Sequence, residues 1–444
     1  MISLFEQFDE STRLLHQSLK ISDINPFTIV INDNGFLPND VTSPYQFFSE
    51  SENEGDKEPK YFNEVEVPRF WEIEGNNEKA LIKDMGKVKG VIIYKSHNKH
   101  RIVSDVKWYD DKGKTRVIDH YSKNGKVFSQ TVFDSSGKPI LIQYFDDFRN
   151  EIIYENLVTN DIVLSWKNKD YYFKSKTEFV MFYLKLLKQD LSKMIINSLG
   201  LSLSVVYNIN TPGVNYVFWQ EIASNGIPKN METVLNLDSD NQFRVLVTNH
   251  NEYEKIKTFT EPHVRDKIYL SGYLYKYNKN NQYSKNALII TNSDQIRHVN
   301  KIVKSCPEVT FHVAAITEMS STLMALNQYE NVKLYPNINE KQFISLYEMC
   351  DVYLDINQGS EVLNSVKCAF EHNMAIIGYE EVAHNRQYTA SQNLFLDKNY
   401  LELINKLKYS IKNKMNLDET LSIQKAHANA IEIGAFKSPF RHEG

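Results

Sequence analysis
The sequence predicts an α/β chain: two open parallel sheets with helices between their strands, the first interrupted by a large antiparallel β-meander. Three observations carry this. Around residues 339–378, Asn339 with Gln342 three positions on is a helix-start signal, and Phe343, Leu346, Tyr347 and Cys350 then fall at helical spacing. The apolar run 351–356 reads as a buried strand, Gln358-Gly359-Ser360 as a tight turn, 361–372 as a second helix and 375–378 as the next strand. That is a βαβ unit, and its strand-to-helix turn is where α/β sheets bind nucleotides. Second, strands expected near 287–291, 309–315, 332–335, 352–356 and 375–378 alternate with helices, which implies a parallel sheet with right-handed crossovers. Third, residues 61–173 switch to period two and repeat themselves as VKWYDDKGKTRV, IDHYSKNGKVFS, QTVFDSSGKPIL and IQYFDDFRNEII.

The first parallel sheet opens the chain. Leu4, Phe5, Phe8, Leu15 and Leu19 suggest an N-terminal helical segment, residues 27–31 a buried strand, and 32–35 a plain turn in which Gly35 stands alone. Residues 49–60, SESENEGDKEPK, have the composition of a solvated linker. Past the meander, Ser175 with Glu178 forms a capping box for a helix carrying Phe179, Phe182, Tyr183, Leu186, Leu187 and Leu191. Strands are expected near 203–209, 213–218 and 243–248. Asp238-Ser239-Asp240 matches a metal-binding D-x-D, but it follows a turn, not a buried strand, and a match this short occurs by chance.

Within the meander, Gly-Lys turns recur at Gly113-Lys114, Gly125-Lys126 and Gly137-Lys138. The pairs Trp108-Tyr109, His120-Tyr121, Val132-Phe133 and Tyr144-Phe145 keep the same period. An extended meander has a large surface and little core of its own. Its aromatics either pack on the parent domain or leave a face or edge for a partner. Trp108, Tyr109, Tyr121, Phe133 and Tyr144 are the interface candidates.

A chain of 444 residues is long enough for two or three cores, and 42% hydrophobic with 24% charged residues is ordinary for a globular protein. A net charge of -5 argues against nucleic acid as the main partner. The opening MISLFEQFDE has acids where a signal peptide needs bases, and no apolar run approaches a membrane span. The expectation is a cytoplasmic protein without a transmembrane segment, at most peripheral at the inner face of the membrane. Cys306, Cys350 and Cys368 read as buried thiols, not as a metal or redox site.

The 339–378 stretch resembles the nucleotide-sugar half of a GT-B glycosyltransferase. Together with the meander, it makes the chain similar to the B subunits of accessory Sec system glycosyltransferases, the glycosylation chaperones. The resemblance implies two Rossmann-like domains facing one another across a cleft: domain I over 1–60 and 174–266, the add-on meander over 61–173, domain II over 267–420, and a crossover and tail over 421–444. The helix with Leu401, Ile404, Leu407 and Ile411 would cross back to domain I. Active retaining relatives carry a pattern like E-G-F-G-x-x-x-x-E-A-x-x-x-G-x-P-V-I-G, whose second acid commonly holds ribose and whose first contacts the sugar. Anchored on Ile376-Ile377-Gly378, the two acids fall on Ser360 and Cys368, and no shift of register restores them.

A metal-free GT-B enzyme must offset the charge on a departing diphosphate with a helix N-terminus, glycine amides and nearby cations. Residues 357–365 hold one glycine, no Arg or Lys, and an acid, Glu361, where the anion should sit. After the first strand of domain II, Arg297 and Lys301 read as a solvated helix face, not as a phosphate clamp, and 207–210 lacks the histidine of several GT-B sites. The implied function is a cofactor-free, non-catalytic subunit. It would bind the Ser/Thr-rich repeats of an adhesin and stabilise a catalytic A subunit that transfers N-acetylglucosamine from UDP-GlcNAc to Ser or Thr hydroxyls. Two alternatives stand beside it. One is an active GT-B glycosyltransferase or nucleotide-sugar epimerase using Asn364, Ser365 or Lys367; the other is a dimerisation module whose meander pairs with itself.

Overall fold
Ile2–Phe5, every residue of it buried, is a strand of the first sheet where a helix was expected. Four consecutive buried positions, three of them apolar, fit a strand covered on both faces as well as a helix start. Asp9 decides the matter: its carboxylate accepts from the Thr12 amide at 2.8 Å and starts the helix Glu10–Ile21 there. The computed structural model describes residues 1–49, 58–76, 78–95, 101–223 and 226–441. The linker expected over 49–60 lies largely outside these described residues. The chain divides into two units, Met1–Ser271 with Pro439–Gly444, and Gly272–Ser438.

The first unit holds a seven-stranded parallel sheet, ordered Ile268–Leu270, Asn241–Val247, Gly213–Trp219, Met194–Ile196, Ile2–Phe5, Phe27–Val30, Val41–Thr42. Residues 203–209, expected as a strand, lie in the helix Leu201–Ile209, which ends where Asn210 turns left-handed at φ 48°. The strand of that region is Met194–Ile196, three residues too short to show a period.

Ten antiparallel strands, from Glu72–Gly75 to Lys169–Phe173, pair in strict sequence order. Val103–Tyr109, Thr115–Tyr121, Val127–Phe133 and Pro139–Phe145 are seven residues each, and five-residue turns complete the repeat. In those turns Asp110, Asp134 and Asp146 each accept from the amides two and four residues on. Gly113, Gly125 and Gly137 supply the positive φ that the turn requires.

One face of the later strands packs on the parallel-sheet domain and shares its core. Tyr144 stacks on Tyr45 at 3.8 Å, Phe48 meets Trp166 edge-on at 5.4 Å, and Phe179 lies 5.6 Å from Tyr45. The opposite face of the earlier strands is covered by Val65 with Phe62, Val67 and Trp71. Gly35 turns out to be the joint. A Cβ there would lie 2.6 Å from the Tyr121 carbonyl and 2.7 Å from the Phe128 ring, at a φ of +76°. The Lys123 amide donates to the Gly35 carbonyl at 2.7 Å, and Lys123 Nζ donates to the Leu37 carbonyl at 2.9 Å.

The second unit is a six-stranded parallel sheet, ordered Val332–Tyr335, Thr310–Ala315, Asn286–Thr291, Val352–Asp355, Ala375–Tyr379, Leu394–Phe395. The helix Glu340–Met349 carries the expected capping box, with Asn339 and Gln342 exchanging amide-to-side-chain bonds at 3.0 Å. The helix Tyr400–Lys412 does not cross to the first unit. It buries Leu403, Ile404, Leu407 and Ile411 in the second unit's own core. The segment that groups with the first unit begins at Pro439, where Phe440 lies 4.6 Å from Tyr216. No helix among the described residues is long and apolar enough to cross a membrane.

Candidate functional site
The strands Asn286–Thr291, Val352–Asp355 and Ala375–Tyr379 bring their C-terminal ends together at the Gly359 turn, the position at which open α/β sheets bind ligands. Here the chain's own side chains fill the turn. A Cβ on Gly359 would sit 2.0 Å from Asn292 Oδ1. Asn292 Nδ2 donates to Ser360 Oγ at 2.9 Å, and Asn357 Nδ2 donates to Asn292 Oδ1 at 3.2 Å. Asn357 Oδ1 in turn accepts from the Gly359 amide at 3.1 Å and the Thr291 hydroxyl at 2.8 Å. The Gly359 N–H, a donor a diphosphate would use, is therefore taken. The helix that follows is Ser365–Glu371, and Glu361 Oε1 accepts from its Val366 amide at 3.1 Å. A carboxylate of the chain occupies that helix start and repels any second anion.

His384, which the sequence pattern gave no reason to single out, closes the network. Its Nδ1 donates to Asp355 Oδ1 at 2.5 Å, its amide donates to Asp355 Oδ2 at 2.9 Å, and its Nε2 donates to the Gly359 carbonyl at 2.7 Å. Burial pulls the imidazole pKa down. The hydrogen bond and charge of Asp355, with the Gly359 carbonyl, outweigh that and raise it to about 9. The ring is thus an imidazolium at neutral pH, held between a carboxylate and a carbonyl, and both its donors are spent inside the protein. Gly378 makes room for this pair: a Cβ there would lie 2.5 Å from the Asp355 carbonyl.

The structure places the sequence-derived positions as follows. Ser360 is part of the network, and Cys368 sits in the following helix with its thiol 3.8 Å from the Leu363 carbonyl. Ser365 is 2% exposed, its hydroxyl accepting from Tyr353 at 2.8 Å and its carbonyl accepting from Tyr347 at 3.1 Å. Arg297 is not on a solvated helix face; it precedes the helix Val299–Ser305 and pairs with Asp397 at 3.0 Å. Lys301 lies 4.0 Å above the Tyr400 ring. Asp238 and Asp240 fall in the turn before Asn241–Val247, and the described residues contain no group of three or more His, Cys, Asp or Glu placed to hold a metal. Burial pushes the Cys350 thiol up to about 12 and the Cys306 thiol up to about 11, which keeps both inert.

Of the meander aromatics, Tyr121 and Tyr144 are 7% and 6% exposed and lie in the chain's own cores. Period-two alternation turned them inward, so they offer a partner little surface. Trp108, Tyr109 and Phe133 stay partly exposed, Trp108 donating its Nε1–H to Asp119 at 2.6 Å.

Family models match most of the chain in pieces: a GtfB N-terminal domain over 2–48, a GtfB middle domain over 71–174, a GtfB third domain over 176–259 and a GftB/GlyA-F C-terminal domain over 287–424. The chain is 39% identical over 408 residues to the UDP-N-acetylglucosamine–peptide N-acetylglucosaminyltransferase stabilizing protein GtfB of Streptococcus agalactiae, covering 92% of each. To the protein of the same name from Streptococcus pneumoniae serotype 4 it is 35% identical over 98% of this chain and 97% of that one. Among solved structures, it superposes with a TM-score of 0.90 and 36% identity on a chain of the GtfA/B complex bound to UDP and GlcNAc, covering 99% of this chain and 98% of that one. The architecture is GT-B with an inserted antiparallel sheet, and the chain belongs to the GtfB family.

Proposed function
We propose that this chain is the non-catalytic subunit of a peptide N-acetylglucosaminyltransferase. It stabilises a catalytic GtfA-type subunit and holds the Ser/Thr-rich acceptor polypeptide of an adhesin for it, on the cytoplasmic side of the membrane. One observation carries the reading. Around the Gly359 turn, where a nucleotide sugar would place its diphosphate, the Gly359 and Val366 amides, Asn292 Nδ2 and both His384 ring nitrogens already bond within the chain. A fold of this size with its donor site filled from within keeps large surfaces whose use is to bind protein. The partly exposed Trp108, Tyr109 and Phe133 on the meander are the residues we assign to contact with the catalytic subunit.

Stabilisation follows from linkage. A partner that binds only the folded transferase stabilises it by RT ln(1 + [L]/Kd), about 2.7 kcal/mol at a hundred times Kd. Holding the acceptor on a second subunit also raises its local concentration at the catalytic site. The test is co-expression of this chain with the transferase and a Ser-rich peptide. The transferase is expected to become soluble, its unfolding midpoint to rise with the concentration of this chain, and the peptide to gain sugar. A transferase whose stability and product are the same with and without this chain refutes the proposal.

A further inference from the structure
The second sheet has a recess at the end opposite the Gly359 turn. Parallel strands gather their amino ends there, where Lys285 leads into Asn286–Thr291 and Asp351 into Val352–Asp355. The recess encloses about 240 Å³, with Tyr283, Lys285, Ile411, Lys412 and Lys414 among its walls. That is below the roughly 300–1,000 Å³ of sites that enclose a whole small ligand, and it suits a single head group.

The sequence builds the rim. Residues 403–417 hold Lys406, Lys408, Lys412 and Lys414 and no acid. Leu403, Ile404, Leu407 and Ile411 turn one side of the helix Tyr400–Lys412 into the core. Asn413 then breaks that helix with extended backbone, and its side chain accepts from the Asn416 amide at 2.9 Å to start the helix Lys414–His427. At this corner Lys412 and Lys414 are exposed, and Met415 is 76% exposed. Lys285 joins the same rim from a loop pinned by Asp351, whose carboxylate accepts from the Gln282 and Ser284 amides at 3.0 and 2.7 Å.

Charge selects the ligand class. Asp351 is already paired with Lys279 at 3.0 Å. Asp418 and Glu419, the first acids of the second helix, accept from the Tyr283 and Tyr409 hydroxyls at 2.6 and 2.5 Å. Lys285, Lys412 and Lys414 make no ion pair among the described residues. A cation would be repelled here, and a neutral ligand would leave three ammonium groups uncompensated. A nucleic acid held firmly needs about six to ten phosphate contacts along a stripe, and this rim offers three lysines. One phosphate fits, and Met415 identifies its source. A free phosphate or an acidic peptide gains nothing from an exposed thioether beside it. A bilayer takes lysines at its head groups and an apolar side chain at the acyl boundary. We propose that this corner of the second unit is the surface by which the chain lies on an anionic phospholipid bilayer. One head-group phosphate sits among Lys285, Lys412 and Lys414, and Met415 dips past it. This surface deepens the function proposed above and rests on it only for the membrane-side setting.

The experiment is flotation of the full-length chain with vesicles of phosphatidylglycerol and phosphatidylcholine in equal parts, against vesicles of phosphatidylcholine alone. Each lysine near an anionic surface contributes about fivefold, so the anionic vesicles should bind on the order of 100-fold more tightly, less so as salt rises. Replacing Lys285, Lys412 and Lys414 together by Gln should bring binding to within about twofold of the neutral vesicles. Met415→Ser should weaken binding about threefold to tenfold, and Met415→Leu should restore it. Replacing three exposed meander lysines, Lys87, Lys112 and Lys138, by Gln is the charge control and should change binding less than about threefold. Circular dichroism melts check the fold of each variant. The assignment is overturned if the wild type ignores the anionic vesicles or binds the neutral ones equally. It is overturned too if the Lys285/Lys412/Lys414 variant or Met415→Ser binds like wild type, if the meander control loses as much, or if polyglutamate or inorganic phosphate at the lipid's own concentration displaces the chain. If the chain stabilises the transferase yet stays off the vesicles, this inference fails alone. If it binds the vesicles through this corner and leaves the transferase unchanged, the proposed function fails and the surface stands.

Discussion
His384→Gln gives the sharpest test of the filled donor site, because the structure fixes both the size and the sign of its pH dependence. The imidazole is raised to about 9 in the folded chain against about 6.5 in an unfolded one. A raised pKa adds stability that is complete below the unfolded value and disappears as pH rises through the folded one. Linkage between those two values gives about 3 kcal/mol at pH 6, about 2 kcal/mol at pH 7.5 and a few tenths at pH 9.5. The side chain is 11% exposed, so solvent screening takes little from this. The variant also removes the imidazolium from Asp355, 1% exposed, which keeps the backbone amide at 384 as a donor, at a further cost of about 1–3 kcal/mol. With two units in the chain, a global melt mixes transitions, so the readout is hydrogen exchange of peptides covering 351–385. The opening free energy of wild type minus variant should fall by about 3 kcal/mol between pH 6 and 9.5. A difference that stays constant with pH, or an His384 ring that titrates near 6.5 by NMR, refutes the imidazolium clamp.

Three further outcomes are expected. Titration of UDP or UDP-GlcNAc into the purified chain should give no saturable heat in calorimetry, since the Gly359 amide and the Val366 amide are already bonded within the chain; a micromolar affinity contradicts the filled site. Gly35→Ala should cost more than about 1 kcal/mol, because it needs a positive φ and its Cβ would press on the backbone of Tyr121 and Ser122. Limited proteolysis should show faster cleavage in the 122–126 turn, and an unchanged digestion rate counts against the joint. Tyr144→Ala should cost about 3–5 kcal/mol in denaturant unfolding of the first unit, as it removes a buried ring stacked on Tyr45; a loss below about 1 kcal/mol means the meander does not share that core.

Much of this chain was legible in one dimension. The twelve-residue period, the Gly-Lys turns and the switch to alternation specify a meander, because a hairpin turn needs a positive φ at a fixed place and Gly supplies it. The capping box at Asn339 and the missing acids at Ser360 and Cys368 were likewise readable, since each depends on residues close in sequence. The misreadings at 2–5 and 203–209 share one cause. Neither segment is long enough to carry a clear period, so only its neighbours in space decide between strand and helix.

Which meander aromatics stay partly exposed, that Gly35 seats one domain on the other, and that His384 reaches back to Asp355 across 29 residues were decided only by the fold. The sequence shows no carboxylate at Ser360 or Cys368. That Asn292, Glu361 and His384 fill the Gly359 turn was set by the tertiary structure, because parallel strands bring residues distant in the chain to one edge of the sheet.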